Sequence, residues 1–475
     1  MNRSDLKQSL LKGGFYLAIR QLLSLSLSLA SLLIITRHLG PKQYGWVVIA
    51  LSLIPFTASL ADMGLKTYLI RKEGECTSKL QGEVLLSLII NGSLITCVTI
   101  LASPFISQWL GIPELSAILA VMAPSILFDA CAGAPLGILE RNLQYQKTTI
   151  SELGSLLIYY GSAIFLVLMG WGIWSVAISY LVKSIFQVVT AFYFNPIFPM
   201  RPNSLEELST AYQYGVSYSI ANWAFSARGV LIPVMIGKFI GSEAVGLVGA
   251  TTRMADTLAF MKPIVWQLGI SGFAKLQEDF EAMRKALSRA MVYQTLLLTS
   301  LLGCFICLSP FLIPILLGHT WNSIVELFPF IALVFIIRGI TDLHALALFA
   351  QGHNLEVLKA NLANTILVCI LVAFLGSYMN IWGYAAAEVI GLFAYILLIK
   401  SVNRIIGSPN YRPTLSLMAC TVIPFICGNR LSPLVSLPVL LMSFGIAYLS
   451  SKETAVATRD ILSNFSRFSS FAKRN

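Results

Sequence analysis

The sequence predicts an all-α integral membrane protein of about 14 transmembrane helices, built as two six-helix lobes related by a parallel repeat plus two C-terminal helices. Three observations predict it. The chain of 475 residues is 56% hydrophobic and 12% charged, with a mean hydropathy of +0.77. A soluble chain is not so composed, so nearly all of it belongs in lipid, where only helices and closed barrels satisfy the backbone. Its apolar runs are continuous over about 20 residues instead of alternating, which selects helices over barrel strands. Finally, the chain echoes itself. Arg37-His-Leu-Gly-Pro-Lys-Gln-Tyr-Gly45 is repeated in outline by Lys238-Phe-Ile-Gly-Ser-Glu-Ala-Val-Gly246, and the pairs Gly14/Gly215, Gly40/Gly241 and Gly45/Gly246 share one offset of 201 residues.

Taken in order, spans are expected near 13–36, 45–65, 82–105, 113–137, 148–169 and 171–195 in the first copy. The second copy supplies 212–237, 242–270, 287–317, 324–350, 357–377 and 380–402, and two more follow at 413–429 and 431–450. This gives an N-terminal lobe over 1–205, a C-terminal lobe over 206–405, and an appended pair with a basic tail over 406–475. Trp171-Gly172 and Trp382-Gly383 form a second echo, and Arg141-Asn-Leu matches His353-Asn-Leu. Six spans per copy is an even number, so both copies enter from the same side and the repeat axis runs along the membrane normal. Pro104, Pro124, Pro135, Pro263 and Pro310 fall in or near spans, and the ninth span is expected to break near Pro310.

Basic residues test this map. Of 33 Lys and Arg, 23 fall in connections on the side of the N-terminus and only Arg37, Lys42, Lys238 and Arg430 on the other. The positive-inside rule then puts both termini in the cytoplasm. The net charge of +11 is thereby explained by topology and by anionic inner-leaflet lipid, with no nucleic acid as partner. The outer connections are too short for an external catalytic domain, and no G-x-x-x-x-G-K-[ST] provides for ATP, so an enzyme is not expected. The eight cysteines read as small buried hydrophobes, Cys304 and Cys307 included, and neither metal nor cofactor is expected. The first apolar run carries Arg20 and no small-residue cleavage site, so it is read as a span and not as a signal peptide.

Six bases stay at membrane depth: Arg20, Lys183, Arg228, Arg253, Lys262 and Arg338. The acids there are Asp129, Asp256, Asp342 and Glu388. Each costs about 2.5–3.5 kcal/mol at a helix centre, so they should face a bundle interior or wet cavity. Arg20, Ser24, Ser28 and Ser31 make one stripe on the first span, and Tyr384, Glu388, Gly391 and Tyr395 another on the twelfth. Arg228 continues a small-residue face of Ser217, Ala221 and Ala224. Two readings stay open for the others. Arg20 and Lys183 either line a cavity or snorkel; Arg253/Asp256 and Arg338/Asp342, at helical spacing, either serve a substrate or neutralise each other. Asp62 and Lys66 read as an interfacial pair, and His344 as a packing histidine ahead of a proton relay. An excess of bases suits an anionic substrate, which Arg20, Arg228, Arg253 and Arg338 would hold through forked hydrogen bonds. Asp129, Asp256, Asp342 and Glu388 would balance charge or couple transport to an ion.

The segments R-H-L-G-P-K-Q-Y-G (37–45) and A-D-M-G-L-K-T-Y-L-I-R-K-E (61–73) resemble the opening signature of the polysaccharide transporters. These are lipid-linked oligosaccharide flippases of the multidrug/oligosaccharidyl-lipid/polysaccharide exporter superfamily. L-E-R-N-L-Q-Y-Q-K (139–147), R-P (201–202), F-A-K-L-Q-E-D (273–279) and G-H-T-W (318–321) extend the resemblance to about residue 405. It is nearest the colanic-acid and exopolysaccharide exporter type. The resemblance implies a two-lobed helical bundle around a cationic cavity. It implies translocation of an undecaprenyl-pyrophosphate-linked repeat unit by alternating access, coupled to a proton or sodium gradient. A polysaccharide polymerase and chain-length proteins are the implied partners besides lipid. Within the superfamily, a multidrug or cation antiporter would want an acidic cavity instead. Outside it, a membrane glycan polymerase or ligase would need a long outer loop, and a passive scaffold would have no use for costly buried charge.

Overall fold

The computed structural model describes residues 3–201 and 205–460, and inside its helices nothing is described of the side chains of residues 3–22, 205–207, 221, 423, 426 and 427. The chain divides into two compact units, Met1–Gly246 and Leu247–Asn475. The first contains α1 (Arg3–Asp62), α2 (Leu65–Arg71), α3 (Ser78–Leu110), α4 (Glu114–Met122), α5 (Pro124–Arg141), α6 (Tyr145–Leu168), α7 (Trp174–Phe194) and α8 (Leu205–Phe239). It also takes the opening turn of α9 (Ser242–Leu258). The second contains the rest of α9, then α10 (Met261–Ala274), α11 (Phe280–Leu316), α12 (Ser323–Ala350), α13 (Asn354–Met379), α14 (Ile381–Gly391), α15 (Ile396–Ile405), α16 (Arg412–Cys427) and α17 (Pro433–Ser450).

Among the described residues, ten helices are long and apolar enough to cross a membrane. There are eleven if the two parts of α8, Leu208–Ile220 and Asn222–Phe239, bent by 48°, count as one span. The expected number was larger for identifiable reasons. The first two expected spans share α1, whose only backbone break is Gly40 (φ 68, ψ 170) ahead of Pro41. The eighth is interrupted at Ala259–Phe260, which leaves helices of 17 and 14 residues. The thirteenth is α16, with 16 residues.

The ninth span is not broken at Pro310, because α11 runs through both Pro310 and Pro314. Proline frees the carbonyl four residues earlier, here that of Ile306, and the Ser309 hydroxyl donates to it at 2.9 Å. The third span repeats the device: Ser103 donates to the Ile100 carbonyl at 2.9 Å ahead of Pro104. Both sites read Ile-x-x-Ser-Pro-Phe, an echo beyond those of the glycines and tryptophans. One expected echo shifts. Gln144 donates its N–H to Leu139 after left-handed Leu143, as His353 does to Leu348 after left-handed Gly352. By turn geometry His353 therefore matches Gln144, not Arg141.

The glycine motif and its echo meet inside the first unit. A Cβ on Gly45 would run into the Ser242 carbonyl, and one on Gly246 into the carbonyl of Pro41. The contact is reciprocal, backbone on backbone, and only glycine at both positions permits it. At the other end of the second expected span, Gly64 (φ 72) sits equally close to the Gly215 backbone.

Candidate functional site

In the second unit the interruption between α9 and α10 concentrates charge. Arg253 and Asp256 occupy the last turns of α9, and Lys262 the first turn of α10, where its N–H donates to Ala259. A helix broken inside a span is a common way to build a transporter site, since it frees backbone groups and presents a positive helix start. The Lys262 ammonium crosses to α12, 2.9 Å from the Asp342 carboxylate, and lies 5.5 Å from the centre of the Phe335 ring. Asp256 is within electrostatic reach of Lys262, Arg253 and Arg338. Arg338, half-buried on α12, is within reach of Asp342, Glu388, Asp256 and Tyr395. Helix spacing alone pairs Arg338 with Asp342, but the side chain that takes Asp342 comes from a different helix.

Access within this cluster is graded. Arg253 and Asp256 are exposed, while the side chains of Lys262 and Asp342 are 22% and 37% accessible. Glu388 is buried. The stripe read on the twelfth span is one buried face. Tyr384 donates to Glu388 at 3.1 Å, the Gly391 carbonyl accepts from Asn364 at 2.7 Å, and the Tyr395 hydroxyl approaches Asn361 and Asn364 at 3.4 and 3.5 Å. His344 is wholly buried, with its ring nitrogens 2.8 Å from the Ile340 carbonyl and 3.0 Å from the Tyr411 hydroxyl. That arrangement satisfies a packing histidine.

The first unit spaces its charges differently. Asp129 on α5 and Lys183 on α7 are 4.0 Å apart, each about four-fifths buried, and the ammonium stands 4.7 Å from the centre of the Tyr180 ring. Arg228 is half-buried on α8, five residues after Trp223, whose indole donates to the Ser59 carbonyl at 3.2 Å. The side chain of Arg20 falls outside the described residues. Asp62 accepts the N–H groups of Gly64 and Lys66 at 3.0 and 3.4 Å, while the Lys66 ammonium reaches Glu140 at 2.8 Å. It is thus more than the simple pair expected. Arg141 donates to the carbonyls of Leu69, Lys72 and Gly74 at 3.0, 2.7 and 2.5 Å. The motifs at 61–73 and 139–147 therefore form a bracket around α2.

Sequence spacing identified Arg253, Asp256, Arg338, Asp342 and Glu388, and the fold brings these five together. Asp129, Arg228 and Arg20 belong to the other unit. Lys262 stood among the membrane-depth bases without a role. Asn361 and Asn364 were missed, although polar residues at i, i+3 in an apolar run were a usable signal.

A family described as polysaccharide biosynthesis protein matches residues 34–326. The lipopolysaccharide biosynthesis protein WzxC of Escherichia coli (strain K12) is 22% identical over 469 residues, covering 95% of this chain and 90% of that protein. The succinoglycan biosynthesis transport protein ExoT of Rhizobium meliloti (strain 1021) is 23% identical over 294 residues, 61% of this chain and 58% of that one. Among solved structures, the lipid II flippase MurJ in an inward closed conformation aligns with a TM-score of 0.73 at 15% identity, over 94% of this chain and 99% of its own. An inward-facing MATE family transporter of the MOP superfamily aligns at 0.62 and 12% identity, over 82% and 99%. These two likenesses show the fold: a helical membrane protein of the MurJ and MATE kind.

Proposed function

The chain belongs to the polysaccharide biosynthesis protein family, and on that premise we propose that it is a flippase for an undecaprenyl-pyrophosphate-linked oligosaccharide repeat unit. It would move this unit from the inner to the outer leaflet of a bacterial inner membrane by alternating access, coupled to protons or sodium. Like its relatives it is a transporter and not an enzyme. The observation that carries the substrate reading is the charge gathered at the α9–α10 break. Charged groups are costly in a span and are retained where they bind or couple. In a family named for polysaccharide biosynthesis, bases at such a break suit a diphosphate. We assign Arg253 and Arg338 to that headgroup. Arg228 and Arg20 receive the same role in the first unit by charge and span position, and Asp129, Asp256, Asp342 and Glu388 that of charge balance or coupling.

The same reading takes α1 as two spans parted at Gly40, α8 as one, α9–α10 as one broken span and α16 as one, which restores fourteen. The repeated glycine landmarks and the two Ile-x-x-Ser-Pro-Phe sites support a parallel repeat with lobes 1–205 and 206–405 and an appended 406–475. The basic bias supports cytoplasmic termini. A polysaccharide polymerase and chain-length proteins are the proposed partners. The MATE likeness keeps a cation antiporter as the second reading, and a base-rich interior argues against it.

The test is a deletion strain. It should accumulate lipid-linked repeat units on the inner leaflet and recover surface polysaccharide with the full chain. Arg228→Ala should insert normally and fail to restore export; wild-type export by that variant removes Arg228 from the site.

A further inference from the structure

Among the described residues at the α9–α10 break the charges cancel. Arg253, Lys262 and Arg338 face Asp256, Asp342 and Glu388, three bases against three acids. A balanced set has no spare cation to offer a polyanion, so a base must leave its carboxylate before a diphosphate can be held. Lys262 is the base suited to leave. Its ammonium is a compact point charge on a flexible stem, which exchanges partners more readily than a forked guanidinium. It bonds Asp342 at 2.9 Å with both side chains partly accessible, so an entering ligand can reach the bridge. The Phe335 ring, 5.5 Å from the ammonium, supports the cation from the side without competing for its protons. Asp342 would not be stranded by the exchange, because Arg338 lies one turn before it and already feels its charge.

We propose that the Lys262–Asp342 bridge is a latch, closed in the empty site and opened when a diphosphate takes Lys262 from Asp342. Lys262 is then a substrate-binding residue, and Asp342 a competitor that sets how strong an anion must be to enter. A lone carboxylate, with one charge, displaces Asp342 poorly; a diphosphate, with more charge and more acceptor oxygens, displaces it well. This rests on the diphosphate reading given above.

The experiment uses the full purified chain in detergent or nanodiscs, with inorganic pyrophosphate and farnesyl pyrophosphate as separate probes. Calorimetry or a thermal shift reads binding. The second probe distinguishes a lipid diphosphate from free diphosphate. Lys262→Met should weaken binding about tenfold or more, as expected for the loss of one charge-assisted contact. Asp342→Asn should tighten it about threefold to fivefold, the scale of a partly exposed ion pair. Lys262→Arg should weaken it, because a guanidinium grips Asp342 with two bonds. The double variant Lys262→Met/Asp342→Asn should bind like Lys262→Met alone. Weaker or unchanged binding by Asp342→Asn overturns the latch while leaving the diphosphate reading intact, and so does tighter binding by Lys262→Arg. Failure of the wild-type chain to bind either probe overturns both.

Discussion

Asp129 and Lys183 in the first unit, and the six charges around the α9–α10 break in the second, answer one problem in two ways. Asp129 and Lys183 lie within long apolar helices, and the second set lies partly on such a helix, α12, and partly on the shorter α9 and α10, proposed above as one broken span; a bare charge inside a span is expensive. In the first unit Asp129 stands against one base, which has an aromatic ring beside it, apart from Arg228 on α8. The second unit draws on α9, α10, α12 and α14, and leaves Arg253 and Asp256 exposed. A closed pair neutralises itself and has little left to give a ligand. A shared, accessible set can be rearranged by one. The difference teaches that segments sharing glycine landmarks can carry unlike charge: at the offset of 201, Arg253 and Asp256 stand where the earlier segment has Ser52 and Pro55.

The largest expected effect comes from Arg338→Ala. It removes the base within reach of Asp342, Glu388 and Asp256 together. Breaking a fully buried ionic set from one side costs about 3–5 kcal/mol; this set is partly accessible, so a smaller loss is expected, and both melting temperature in detergent and surface polysaccharide should fall. An Arg338→Ala protein that melts and exports normally would mean that the acids do not depend on one another, and the contrast between units would dissolve. Arg253→Ala should act next, and differently. Arg253 is exposed, so the protein should reach the membrane in normal amount while export drops. Losing a hydrogen bond to a charged group is worth about 1.5–3 kcal/mol, so at least tenfold slower recovery of surface polysaccharide is expected. Equal export with and without Arg253 would move the substrate away from α9.

A smaller effect should follow Gly45→Ala, which touches the backbone shared by the two copies and none of their charges. The new methyl has no room beside the Ser242 carbonyl, so the helices must separate locally. Overpacking of this kind costs about 1–3 kcal/mol. Gly161→Ala on α6 meets nothing within 4 Å and should be neutral or mildly stabilising. Thermal unfolding of the two variants side by side measures the difference, and equal melting would remove the Gly45–Gly246 contact from the architecture.

The helices and their order were legible because apolar runs are local signals. The count of qualifying spans was not, since whether a 40-residue apolar helix is one span or two depends on a single left-handed glycine. Pro310 misled for a related reason: the sequence shows the missing N–H, but the hydroxyl of Ser309 that replaces it is one residue away and was not weighed. Five of the clustered charges were legible because four of them lie at helical spacing from a partner of opposite charge and Glu388 lies on a polar stripe. Lys262 escaped because its partner Asp342 is 80 residues distant, and nothing local announces a contact made by tertiary packing.

The smallest effect on export is expected from the pair in the first unit, and it discriminates by pattern more than by size. Asp129→Asn alone leaves Lys183 without its carboxylate, and Lys183→Met alone leaves Asp129 without its ammonium. Each single variant should lose stability. The double variant removes both charges and keeps two side chains of similar volume, so it should regain part of the loss, because no uncompensated charge is left buried. Export by the double variant should stay within about twofold of wild type if the pair is only a closed account. Export that collapses in the double variant, despite recovered melting, would show that Asp129 or Lys183 takes part in transport. The pair would then work alongside Arg228 in the first unit, and the contrast between the two charge sets would be one of packing and not of function.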